Sequence, residues 1–283
     1  MATGAPPTLR QRRLGVELRK LRERAGSSST AAAAQIGVQQ ARMSMIEAGR
    51  YAVSAERVRA LAHCYACDDP EYVEALAALT GGRTRGWWDA YRELLPASLV
   101  EVAEFEHEAR ALRVAVLVTM PGLVQTLEHA RASYRQNVPA LRPDEIEHRV
   151  SFRVKRQSVL HGDPPLPYTA IIHEAALRMG IGGPEVVREQ LRHLIAVGEH
   201  GNVSVLVIPF ERAEFPASGQ PISYAEGAVP SLDTVLLDSD HGCEVLDAAA
   251  QLERYRSVLD RMQDCALSAA RSRDFIHRIA KSL

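Results

Sequence analysis

The residues best suited to chemistry lie around one short polar segment. Gln39, Gln40, Arg42 and Ser44 follow Gly37 closely, and Arg50 comes soon after. A Gln amide matches the N6/N7 edge of adenine, and an Arg guanidinium matches O6/N7 of guanine. Serine hydroxyls and arginines also reach phosphate oxygens. Ser28, Ser29 and Thr30, ahead of an Ala-rich stretch, are placed with Arg50 to make such backbone contacts. These eight residues can act together only if two short helices hold them. Gly37 stands where the chain must reverse between those helices, and glycine takes the positive φ of such a turn at no steric cost. Two helices joined this way form a helix-turn-helix, whose second helix enters the DNA major groove. The same spacing also suits a tight helical hairpin in an ordinary helical domain.

The flanking elements must position that segment. Leu14, Leu18 and Leu21 recur at i, i+4 and i+7, which predicts an amphipathic helix. Arg13, Arg19, Lys20, Arg22 and Arg24 then fall on its solvated side. A hydroxyl of the Ser27-to-Thr30 run is expected to cap the second helix. In the third, Met43 and Ile46 should face the core while Gln39, Gln40, Arg42 and Met45 face outward. Glu47 should pair within the domain, because a carboxylate beside phosphates is unfavourable. Ser54 should cap a fourth helix with Val58, Leu61, Ala62 and Tyr65 inward. Asp69-Pro70 reads as the start of a fifth, with Val73, Leu76 and Ala77 as its core face. Gly81 to Gly86 reads as a linker, giving a five-helix, all-α domain over residues 1–80. Residues 1–70 hold eleven Lys or Arg against six Asp or Glu, although the whole chain is at −1. A basic end on an acidic remainder fits a footprint on DNA.

Residues 81–283 predict a mixed α/β domain. Strands are expected at 112–118, 168–173, 203–208, 222–226 and 234–237, with 203–208 apolar enough to be buried on both faces. Helices are expected at 123–137, 143–160, 185–199 and over most of 247–283. Within 143–160, Ile146, Val150, Val154 and Val159 mark the apolar side, and Arg149, Arg153, Lys155 and Arg156 the polar side. The adjacent Trp87 and Trp88 could line an effector pocket or pack a linker helix. Glu174, following His173 at a strand end, could belong to such a pocket or to an acid–base pair. No nucleophile motif or Gly-rich phosphate loop accompanies it. His63-Cys64-x-x-Cys67 is half of a zinc site, with only His241-x-Cys243 as a distant complement, and the helix period explains Cys64 as a small buried residue. No metal, no cofactor and no catalytic group is therefore expected. No apolar run reaches the ~20 residues of a membrane span, and residues 1–9 lack the apolar core of a signal peptide, so a cytoplasmic location with no membrane partner is expected.

Gly26, Ala33, Ile36-Gly37-Val38, Met43-Ser44, Ile46-Glu47 and Gly49-Arg50 resemble the helix-turn-helix of the XRE (Cro/repressor-like) family. Further landmarks are Gly86-Trp87-Trp88, Met120-Pro121-Gly122-Leu123-Val124-Gln125-Thr126, Gly182-Gly183-Pro184 and Asn202-Val203 to Pro209-Phe210. They resemble an actinobacterial, antitoxin-like group of such regulators whose C-terminal domain has no settled function. Three positions depart from the family pattern: Ser29 where Gln is usual, Ala32 where a larger apolar residue is usual, and Met45 where a basic residue is frequent. The resemblance implies a transcriptional regulator, a lambda-repressor-like N-terminal domain, double-stranded DNA as partner, and a small protein from a neighbouring gene or a small molecule as effector. Reading more than a few base pairs calls for a homodimer on a pseudo-palindrome. Two alternatives stand beside it: an antitoxin-like protein-interaction module, and an enzyme repurposed from a regulator scaffold whose motif has drifted.

Overall fold

The computed structural model describes residues 7–80, 86–216, 219–239 and 242–283. The chain divides into two compact units, Met1–Asp89 and Ala90–Leu283. Of the expected linker, Gly81 to Gly86, residues 81–85 lie outside the described residues, as does His241.

The first unit is all helical: α1 (Leu9–Arg24), α2 (Ser29–Gln35), α3 (Gln40–Glu47), α4 (Ala55–Cys64) and α5 (Pro70–Ala78). Side chains open four of the five. Thr8, Ser28, Ser54 and Asp69 each accept a bond from a first-turn N–H, which satisfies a donor the helix leaves unpaired. Leu14, Leu18, Leu21, Met43, Ile46, Val58, Leu61 and Leu76 form the core. Four sequence expectations need correction, the first being that Arg22 lies on the solvated side of α1: it is mostly buried, against Glu47. Arg13 is buried rather than solvated, because Glu17 on the next turn, 3.4 Å away, is buried with it. Glu17 also takes Lys20 Nζ at 2.7 Å and the Tyr72 hydroxyl at 2.5 Å, so Tyr72 replaces the half-buried Val73 on the core face of α5. Cys64 is exposed, since the inward side of α4 and its cap is taken by Val58, Leu61, Ala62 and Tyr65, which turns His63 and Cys64 outward.

The second unit carries one six-stranded sheet: β1 (Ala111–Val116), β2 (Tyr168–His173), β3 (Val203–Ile208), β4 (Ile222–Glu226), β5 (Thr234–Ser239) and β6 (Gly242–Leu246). The spatial order is β3-β2-β1-β4-β5-β6. The β3, β2 and β1 strands run parallel, and β4 to β6 continue antiparallel from β1. Around the sheet stand α6 (Ala97–Glu108), α7 (Leu127–Tyr134), α8 (Pro143–Arg156), α9 (Glu174–Arg178), α10 (Pro184–Val197), α11 (Ala249–Cys265) and α12 (Ala269–Ser282). Helix α11 crosses the sheet over β1, β3, β4 and β5, burying Leu252, Leu259 and Met262 against Ile171, Ile222, Tyr224 and Val235. The chain is thus an all-α unit followed by a mixed α/β unit.

The apolar run of β3 does not lie mid-sheet. It forms an edge, with Ser204 exposed. That edge is closed in part by the chain's end: Leu267 donates its N–H to the Val207 carbonyl at 2.8 Å, and Val207 N–H donates to Ser272 Oγ at 2.9 Å. The expected helix over 123–137 begins later, at Leu127, after a 3₁₀ turn at Gly122–Val124. The final helical stretch is two helices, broken between Cys265 and Ala269. On α8 the expected sides are wrong at two positions. Val154 is 41% exposed, while Arg156 is buried against Glu106 of α6, at 2.8 and 2.5 Å. A bidentate carboxylate supplies the charge that burial of a guanidinium requires.

Candidate nucleic-acid interface

The geometry of α2 and α3 rests on two glycines. Gly37 lies at φ +64°, in the left-handed region, between the end of α2 and Gln39, the N-cap of α3. Gly15 sits mid-helix in α1, where an added Cβ would stand 2.4 Å from the Glu47 carbonyl oxygen and 2.7 Å from that of Ile46. The C-terminal turn of α3 therefore rests on the backbone of α1. An ion pair fastens the same crossing: Arg22 donates to both carboxylate oxygens of Glu47, at 2.6 and 2.9 Å, and both side chains are largely buried. This pairing holds the Arg22 pKa above its ordinary value, chiefly through the hydrogen bond to Glu47.

With Met43 and Ile46 turned inward at 0% and 2% exposure, the opposite side of α3 is presented to solvent. Gln39, Gln40, Arg42 and Ser44 are all exposed there, as are Thr30 and Ser28 on α2 and its cap, and Arg50 beyond α3. Ser29 is half-buried. Gln40 Nε2 donates to Ser44 Oγ at 3.1 Å and reaches Ser29 Oγ at 3.5 Å, so α2 and α3 contribute to one polar surface. Ser28 Oγ is already engaged as the α2 cap, accepting from Ala31 N–H at 3.1 Å. Arg42 stacks over the Tyr51 ring at 4.8 Å, which limits its swing. Tyr51 and Gly15 belong to this arrangement and were not foreseen. An aromatic nine residues beyond Arg42 was the only signal for Tyr51.

The remaining candidates are Trp87, Trp88 and Glu174. Trp87 and Trp88 pack edge to face, with centroids 5.9 Å apart, in a 3₁₀ turn at the end of the first unit; Trp88 is buried and Trp87 half-buried. Glu174 belongs to the second unit. It is 3% exposed, with Oε1 bonded to Arg178 Nε at 2.6 Å and Oε2 accepting from Phe210 N–H at 2.9 Å. His173 Nδ1 accepts from Ala175 N–H at 3.2 Å and so caps α9. Both side chains of the expected acid–base pair are thereby committed to holding the ends of β2 and β3. Among the described residues, no group of three or more His, Cys, Asp or Glu is placed to hold a metal ion. No described helix is long and apolar enough to cross a membrane.

Residues 13–76 match the model of a family described as "Helix-turn-helix domain". Residues 99–278 match that of the "Domain of unknown function (DUF5753)". No match was found among curated proteins or among solved structures.

Proposed function

Because the chain belongs to the DUF5753 family and carries a helix-turn-helix domain ahead of that domain, we propose that it is a sequence-specific, DNA-binding transcriptional regulator. The observation that carries this reading is the exposed row Gln39, Gln40, Arg42 and Ser44 on a short helix whose other side is fully buried. That row enters the major groove. Thr30, Ser28, Ser29 and Arg50 flank it and meet phosphates. Residues 1–80 form the DNA-binding domain, of XRE type, and residues 81–283 sense a small molecule or a small partner protein. One such helix covers only a few base pairs, so the chain acts as a homodimer on half-sites about one helical turn, ~34 Å, apart.

The test is fluorescence anisotropy of the full chain with its own upstream DNA and a scrambled control, at two salt concentrations. Tight binding to the upstream fragment alone, weakening with salt, is expected. Arg42→Ala should cost about 1–3 kcal/mol on the specific site and much less on scrambled DNA. Equal, weak binding to both fragments overturns the reading. One observation favours a second reading, an antitoxin-like contact with a protein. Met45 is 44% exposed and Tyr51 38% exposed, which puts apolar surface beside the polar row. Co-purification of a small partner together with poor DNA affinity would select it.

A further inference from the structure

Two guanidinium groups lie over the ring of Tyr134 at the end of α7, and a third stands near one of them. Arg153 lies 4.9 Å and Arg149 5.9 Å from the ring centroid. Arg156 and Arg153 both approach Gly122 in the turn after β1. An added Cβ there would stand 3.3 Å from Arg156 Nη2 and 3.4 Å from Arg153 Nη1. The countercharge is short. Arg156 is satisfied by Glu106, Glu128 of α7 and Glu147 of α8 are taken by Arg131 at 2.5 and 2.7 Å, and Glu145, one turn before Arg149, accepts from the Arg142 N–H at 2.8 Å.

Among the described residues, Arg153 meets no carboxylate. Its Nη1 donates to Gln125 Oε1 and its Nη2 to the Tyr134 hydroxyl, both neutral acceptors, while its Nε is buried with no acceptor among the described residues. Arg149 has no ion pair or hydrogen bond among the described residues. The buried His129 is bonded to Gln125 at 3.1 Å. Its pKa is pushed down to about 4, first by burial and then by the Arg153 charge. A buried N–H left without an acceptor calls for a partner. A guanidinium fork fits a carboxylate or a phosphate, which offers two acceptors in one plane.

We infer that Arg149 and Arg153, with Tyr134 and Gln125 as their frame, bind a small oxyanion, the carboxylate or phosphate group of the molecule sensed by the second unit. This rests on the reading of that unit as a sensor. The site takes charge complementarity from α8 and shape from the turn at Gly122.

The experiment titrates the full chain with inorganic phosphate and, separately, with succinate. Sodium chloride at equal ionic strength serves as the control, with thermal unfolding and calorimetry as readouts. A saturable rise in melting temperature with either anion is expected, at least tenfold weaker in Arg149→Gln and in Arg153→Gln. Arg149→Gln removes no hydrogen bond among the described residues, only a 5.9 Å approach to the Tyr134 ring, and its melting temperature without anion, unchanged from the parent, separates loss of response from misfolding. A stronger response to phosphate than to succinate identifies a phosphate ligand, and the reverse a carboxylate. A response no larger than that to chloride, or one unchanged in both variants, overturns the inference. No DNA is present, so failure here leaves the DNA-binding reading standing, and failure of DNA binding leaves this site standing.

Discussion

Replacing Gly15 by alanine sets two effects of opposite sign against each other. Glycine in a helix interior is worse than alanine by about 1 kcal/mol, so helix propensity alone predicts that Gly15→Ala stabilises α1. The packing predicts the contrary. The new methyl would lie 2.4 Å from the Glu47 carbonyl oxygen and 2.8 Å from its carbon, both backbone atoms that cannot rotate aside. Ordinary carbon–oxygen contact needs nearly 1 Å more, so α3 must lift from α1. Overpacking of this kind typically costs 1–3 kcal/mol, and a backbone clash this deep belongs at the upper end. Taking ~3 kcal/mol against ~1 kcal/mol leaves a net loss of about 2 kcal/mol. Hydrogen exchange in the full chain would read it locally: amides of α1 and α3 should exchange about thirtyfold faster, since 1.4 kcal/mol is a factor of ten. DNA affinity should fall as well, because the lifted helix is the one presented to the groove. Unchanged or slower exchange in α1 would refute the claim that this crossing is made backbone to backbone.

Two further outcomes follow from the second unit. Glu106→Gln should destabilise it by roughly 3–5 kcal/mol in urea unfolding, because Arg156 then stays buried without its countercharge; Glu106→Leu with Arg156→Met should recover most of that loss, and equal losses in the two would argue against a buried ion pair. His129 has a folded pKa near 4, below its ordinary 6.5, so its contribution to stability is complete above about pH 6.5 and is lost as pH falls toward 4. The loss amounts to ~3 kcal/mol at most, at 1.36 kcal/mol per pKa unit. Unfolding free energy measured across that range should fall for the parent chain and flatten in His129→Gln, and parallel profiles would count against it.

What could be read from the sequence was local. The caps Ser28, Ser54 and Asp69, the turn at Gly37, and the inward pair Met43 and Ile46 depend on residues within four positions of one another. The strands β1 to β5 announce themselves as short apolar runs. The β6 strand does not, because Gly242-Cys243-Glu244-Val245-Leu246 is brief, mixed in polarity, and adopts its shape by pairing with β5. Arg156 was assigned to solvent because its helical period says so, while Glu106, fifty residues earlier, gives no periodic hint of the pairing. The role of Gly15 was invisible for the same reason: a close crossing is a property of two helices, and α1 alone shows only a glycine in an amphipathic pattern. On the candidate surface the exposed polar row was legible, but the Tyr51 brace on Arg42 was not.

The strand order has a consequence for how the chain acquires its shape during synthesis. The five helices of the first unit lie within residues 9–78 and pack on one another, so it can close while the ribosome is still translating the rest. The second unit cannot start so early. Its central strand, β1, is the first of the six to emerge, yet Val114 must wait for Ala170 on one side and for Ser223 on the other. The outer edge of β3 is not sealed until Leu267 and Ser272 arrive near the end of the chain. Pairings so distant in sequence form slowly and leave strand edges open for longer. A nascent chain would thus carry a finished helical head on an unfinished sheet, and late truncations should damage the sheet while sparing the head.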